Sequence, residues 1–209
     1  MHPNPIFRRE AHERHLSFAR ARGFGILTLS GDDDVPLISH VPFLLSETGE
    51  SAELHLVRSN PIARSLRTAR PALIAGSGPD AYISPDWYGM DDQVPTWNYV
   101  AVHLSGWIER LPQETLLPLL DRQSAAYEAR LAPKRPWTTA KMSEEGLARL
   151  MRSIVPCRFV VDDVDGTWKL GQNKSNAARR GAAQGVARGT PGMETEALAD
   201  LMRMPTEEG

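Results

Sequence analysis

The chain has 209 residues, of which 41% are hydrophobic and 24% charged, with a formal net charge of −2. That is enough apolar material for a packed core, and it excludes intrinsic disorder for most of the chain. The near balance of charge lends no support to a duplex-DNA binder, and a single cysteine, Cys157, excludes an intrachain disulfide. Residues 1–9 hold no apolar run of signal-peptide type and no stretch reaches 18 apolar residues, so a cytoplasmic protein with no membrane partner is expected.

Residues 7–22 lack glycine and proline and space Phe7, Ala11, His15 and Phe18 as a helix does, with Gly23 as the stop. A strand over 24–30, a turn from Gly31 to Asp34 and a strand over 35–45 make a hairpin. In the second strand Val35, Leu37, Val41, Phe43 and Leu45 share one face and His40 points to the other. A third strand spans 52–58, and Asn60 caps a short helix that starts at Pro61 and ends near Leu66. Residues 72–76 and 81–84 read as two short strands around a Gly-Pro turn.

Residues 96–110 give the clearest strand. Its even positions Val100, Val102, Leu104 and Ile108 are aliphatic, and its odd positions Trp97, Tyr99, His103 and Trp107 are aromatic or amphipathic. Such a strand suits a barrel wall whose outer face needs a cover: a helix, a partner subunit or a planar ligand. A helix over 111–131 follows, with Leu116, Leu119, Leu120 and Tyr127 on one side, then a link through Pro133 and Pro136 and a helix over 143–152. A strand over 154–164, a turn at Asp165-Gly166 and a basic helix over 174–189 come next, that helix read as solvated and capped at Asn173 and Asn176. A short helix over 195–204 lies in a tail expected to be mobile from about 190. Six or seven strands with helices between them predict one α+β, mainly β domain over 1–209, a small barrel.

Two segments have the chemistry to hold a ligand. Arg58-Ser59-Asn60-Pro61 with Arg64 offers guanidinium groups, a hydroxyl and a helix start, the donors a phosphate needs; an ordinary capped helix with solvated arginines explains it equally well. The clusters Tyr82-Ile-Ser-Pro-Asp-Trp-Tyr88 and Val94-Pro-Thr-Trp-Asn-Tyr99 suit a wall around a flat heterocycle, although clustered aromatics more often serve a core. His40, His55 and His103 lie on three strands that can converge, but no accompanying ligand pattern supports a metal site. Cys157 follows Pro156 into an apolar strand, where a buried, inert thiol is expected. Glycine-rich phosphate fingerprints and a Gly-x-Ser-x-Gly elbow are absent.

Pro42-Phe-Leu-Leu45, His55 with Asn60-Pro61, the 82–88 block, Val94-Pro-Thr-Trp-Asn-Tyr-Val-Ala-Val-His103 and Lys169-Leu-Gly-Gln-Asn173 occur in one order. Together they resemble the PaiB family of FMN-binding split-barrel proteins, known as negative transcriptional regulators. The resemblance runs from about Phe7 to Met204. It implies a six-stranded split β-barrel of Greek-key type with flanking helices, and a homodimer with FMN at the subunit interface. By analogy with related barrels, His40, Val41, Arg58, Ser59, Asn60 and Arg64 would hold the phosphate. The motif match places Trp97, Asn98, Tyr99, Lys169, Gln172 and Asn173 in the rest of the pocket. Gly171 stands where the family commonly has serine. The resemblance leaves two alternatives beside the regulator: a flavin-dependent oxidoreductase or flavin reductase acting on a small substrate, and a direct DNA-binding repressor. Net charge speaks against tight nucleic-acid contact.

Overall fold

The computed structural model describes residues 1–31 and 35–204. Its strands are β1 (Phe24–Leu29), β2 (Leu37–Leu45), β3 (Ser51–Val57), β4 (Arg70–Ile83), β5 (Thr96–Arg110), β6 (Ile154–Lys169) and β7 (Gly192–Met193). They run β1-β2-β3-β6-β5-β4-β7 in one sheet, and β1 also pairs with β4. Six strands therefore close into a ring, which is the barrel the resemblance implied. Its helices are α1 (His12–Arg22), α2 (Pro61–Ser65), α3 (Leu116–Ala129), α4 (Glu144–Ser153), α5 (Asn176–Ala187) and α6 (Thr195–Arg203).

Local chemistry sets several of these boundaries. Asn60 takes an extended backbone and its Oδ1 accepts from the Ile62 N–H at 2.9 Å, starting α2 as expected. Ser143 Oγ accepts from the Gly146 N–H and starts α4 in the same way. The alternation read in β5 holds: Val100, Val102, Leu104 and Ile108 are buried, whereas Trp97 and Trp107 are 46% and 45% exposed. Phe43, Leu54, Ile74 and Phe159 join them in the core. The β1–β2 hairpin pairs Phe24 with Pro42 through to Leu29 with Leu37; its expected turn falls largely on Asp32–Asp34, outside the described residues.

Four expectations are corrected. The helix predicted over 7–22 begins at His12. β4 is one strand of 14 residues, not two around a turn. It pairs with β1 through Leu73, Ile74 and Ala75 and with β7 through Asp80 and Ala81, so Pro79, which has no N–H, sits between the two pairings. β6 likewise runs unbroken through Asp165-Gly166. Gly166 serves close packing instead of a turn, because a Cβ there would lie 2.3 Å from the His15 ring. Finally, α5 is capped by Ser175, whose Oγ accepts from Ala178 N, and it is not a solvated helix: Arg179 is only 2% exposed.

The chain forms two compact units. One comprises Met1–His15, Ser77–Val102 and Asp165–Gly209; the other comprises Leu16–Gly76 and His103–Val164. In the first, Trp87 packs where side chains at Gly181 and Gly185 would collide with it. The C-terminal segment, read as a tail, pairs Met193 with Asp80 and buries Leu198, Ala199 and Met202 of α6. In the second, the Tyr127 hydroxyl of α3 donates to the carbonyls of Gly23 and Phe43.

Cys157 lies in this second unit, buried, and desolvation pushes its thiol up to about 12. In the folded protein at pH 8 a thiol reagent is expected to leave Cys157 unlabelled, and labelling should become complete on unfolding. Modification of the native protein at the rate of free cysteine would contradict this burial.

Candidate functional site

In the first unit, β5 divides the residues expected to wall a flavin. Successive strand residues face opposite sides, so Trp97 and Tyr99 lie on the face away from Asn98. Trp97 stands exposed with Tyr82 against it edge-on, ring centroids 6.4 Å apart. Asn98 is 1% exposed, and its Nδ2 donates to the Met202 sulfur of α6 at 3.6 Å. It braces α6 in this structure.

Lys169 at the end of β6 is half-buried and donates to Thr96 Oγ1 at 2.5 Å. Desolvation lowers its pKa below the usual lysine range. Gln172 is committed internally: Leu170 N donates to its Oε1 and its Nε2 donates to Trp168 O. Gly171 between them has φ +84°, a conformation that glycine enters without the strain a serine would carry. Asn173 is exposed. Arg179 donates through Nη1 to the carbonyls of Met202 and Met204, which closes the C-terminal end of α6.

The second unit holds a cavity of about 1220 Å³ lined by Arg58, Ser59, Arg64, Arg67, Thr68 and Arg110, among others. Strand order brings them together. The end of β3 lies beside the start of β6, where Arg58 N donates to Ser153 O, and the end of β5 reaches the same strand, where Leu111 N donates to Pro156 O. Arg58 and Arg110 thus arrive at one end of the sheet, with α2 supplying Arg64.

The cations in this cavity differ in their commitments. Arg58 donates to Arg152 O, Gln113 Oε1 and Ile154 O at 3.0–3.3 Å, so it is fixed. Arg64, Arg67 and Arg110 make no side-chain hydrogen bond or ion pair among the described residues. Asn60 is spent on its cap and on donating to Ser39 Oγ at 3.0 Å. Of the two β2 residues expected at a phosphate, His40 is exposed and stacks near Phe24, while Val41 is buried. Sequence reasoning missed Arg67, Thr68 and Arg110. Arg67 and Thr68 come just after α2 ends, and Arg110 joins them only through strand order.

His40, His55 and His103 do not assemble a ligand set: among the described residues no group of three or more His, Cys, Asp or Glu can hold a metal ion. His55 instead bonds through Nδ1 to Gln123 Oε1 at 3.1 Å. His15, in the first unit, accepts at Nδ1 from Trp168 Nε1 at 3.0 Å, which suits a neutral ring.

Both histidines have a lowered pKa, chiefly through desolvation. His12 and Arg14 lower His15 further against the pull of Asp165 and Glu10, and the Gln123 bond opposes the fall at His55. A depressed folded pKa gives stability that is complete above the unfolded value near 6.5 and lost as pH falls through the folded values. The melting temperature is therefore expected to fall on acidification below about pH 6.5. A rise between pH 7 and pH 5.5 would contradict the neutral, buried state of these rings.

A family model described as "Putative FMN-binding domain" matches residues 1–163. The chain belongs to this FMN-binding family. FMN, the cofactor expected from the sequence resemblance, is the one for which the family is described. Among curated relatives, "Protease synthase and sporulation protein PAI 2" of Bacillus subtilis is 29% identical over 165 residues, 78% of each chain. The fold is similar to that of the FAD and heme binding protein from Mycobacterium smegmatis (TM-score 0.57, 16% identity, 79% of this chain and 74% of that one). It is also similar to the flavocytochrome Anf3 from Azotobacter vinelandii (TM-score 0.54, 13% identity, 82% and 73%). Among the described residues no helix is long and apolar enough to cross a membrane.

Proposed function

We propose that this family member holds the FMN phosphate in the arginine-lined cavity of its second unit and works as a homodimer with a regulatory role similar to that of PaiB-type proteins. The observation that carries the assignment is Arg64, which lines the cavity with no side-chain hydrogen bond or ion pair among the described residues, beside Arg58 and the Ser59 hydroxyl. A phosphate monoester carries about −1.5 to −2 charges and three acceptor oxygens, which that donor set matches. Arg58, held in place by its three bonds, completes the cationic wall.

In the first unit, Asn98 and Gln172 already spend their amides on α6 and on the turn after β6, so neither is assigned to the flavin. Bound FMN supplies hydride and single-electron chemistry that side chains lack. The protein's part is to bind and orient it. Support for a second copy comes from apolar side chains on the outer face of the second unit's strands, where Phe24, Ile38, Val57 and Trp107 are all about half exposed or more. Direct DNA reading by α5 loses its central cation, since Arg179 is buried on the carbonyls of α6.

Comparison of FMN with riboflavin tests the phosphate assignment. FMN should bind at least about tenfold more tightly, the effect of one charge-assisted hydrogen bond or more. Equal affinities would remove the cavity from the flavin site.

A further inference from the structure

The cavity is larger and more cationic than one phosphate monoester requires. Its volume of about 1220 Å³ exceeds the roughly 300–1,000 Å³ usual for a small-ligand pocket. Four arginines line it, Arg58, Arg64, Arg67 and Arg110, against a single carboxylate, Glu109. That carboxylate also accepts from Arg158, whose Nε and Nη2 both donate to its Oε1 at 2.8 and 2.5 Å, so the lining keeps an excess of positive charge. A flavin phosphate answers about two of these charges.

The surplus has a place in the fold. Arg58 and Ser59 belong to the turn that leaves β3 and Arg64 to α2, the segment assigned above to the flavin phosphate. Arg67 and Thr68 follow α2, and Arg110 ends β5, so a second set of two guanidinium groups and a hydroxyl lies on other elements of the same cavity. Leu66, Leu111 and Pro112 add apolar wall beside them.

We infer that Arg67, Thr68 and Arg110 form a second anion subsite, which takes the oxyanion group of a small co-substrate while FMN occupies the first. This rests on the FMN reading above for the identity of the first ligand. A guanidinium pair recognises phosphate and carboxylate alike, so the shared chemistry is a compact oxyanion on a partly apolar small molecule.

Calorimetric titration of the full-length protein with inorganic phosphate, and separately with acetate, tests the inference with and without saturating FMN. Two phosphates per chain are expected without FMN and one with FMN, and Arg110→Ala should lower the affinity of the remaining one about tenfold or more. The same variant should leave FMN affinity within about twofold of the wild type. Tighter binding of phosphate than of acetate assigns a phosphorylated co-substrate, and the reverse a carboxylate. One phosphate per chain, displaced competitively by FMN, would overturn the second subsite while leaving the FMN site intact. An equal loss of FMN affinity in Arg64→Ala and Arg110→Ala would overturn it too. Two phosphates on a protein that fails to bind FMN would uphold the subsite and defeat the FMN reading instead.

Discussion

Replacing Gly106 by alanine is expected to cost the barrel about 3 kcal/mol, the upper range for forcing a side chain into a packed interior. Gly106 lies on β5 where it passes β6, and a Cβ there would sit 1.9 Å from the carbonyl oxygen of Val160 and 3.1 Å from Asp162 N. Those atoms are strand backbone, so neither can swing aside as a flexible side-chain tip would. At about 2–4 °C per kcal/mol for a chain of this size, the melting temperature should drop by about 6–12 °C. Gly89 is the control: it has φ +59° but no atom within 4 Å of where a methyl would sit, so alanine there carries backbone strain alone, about 1–2 kcal/mol. If Gly106→Ala melts within about 2 °C of the wild type, β5 and β6 do not approach as described.

Arg64→Ala is expected to weaken FMN binding about 10- to 150-fold, the range for one hydrogen bond to a charged group. Riboflavin, which lacks the phosphate, should bind the variant and the wild type alike. Arg64 is the better probe because its guanidinium has no partner among the described residues, so its loss leaves nothing unsatisfied. Arg58→Ala would instead take a donor from the Arg152 carbonyl and from Gln113 Oε1, mixing a stability effect with the binding effect. Unchanged FMN affinity in Arg64→Ala, measured by flavin fluorescence, would take the cavity out of the flavin site.

Much of the barrel can be read from residue patterns alone where each pattern has one physical meaning. The alternation in β5 and the Asn60-Pro61 cap are of this kind, because strand pleat and orphan N–H groups leave few other outcomes. The turns at Gly78-Pro79 and Asp165-Gly166 misled because glycine and proline also serve close packing and gaps in pairing. At Gly166 the demand comes from His15, some 150 positions away in sequence.

The candidate site was legible to the same degree. Arg58, Ser59 and Arg64 are contiguous enough to be picked out, and the structure sets them in one cavity. Trp97, Asn98 and Tyr99 read as one aromatic-polar block, yet the strand's pleat sends Asn98 to α6 and leaves its neighbours on the other face. Arg110 was beyond reach, because only the order β3-β6-β5 brings the end of β5 near the end of β3. The charge of α5 misled in the opposite sense, since Arg179 turns inward to the last carbonyls of α6.

The most direct test of the whole account is a titration of the purified, desalted protein with FMN, followed by absorbance and flavin fluorescence. Saturation at about one FMN per chain, with low-micromolar affinity or better (about −8 kcal/mol), is the predicted result. No yellow colour on purification and no saturable change up to about millimolar FMN, some −4 kcal/mol, would contradict it.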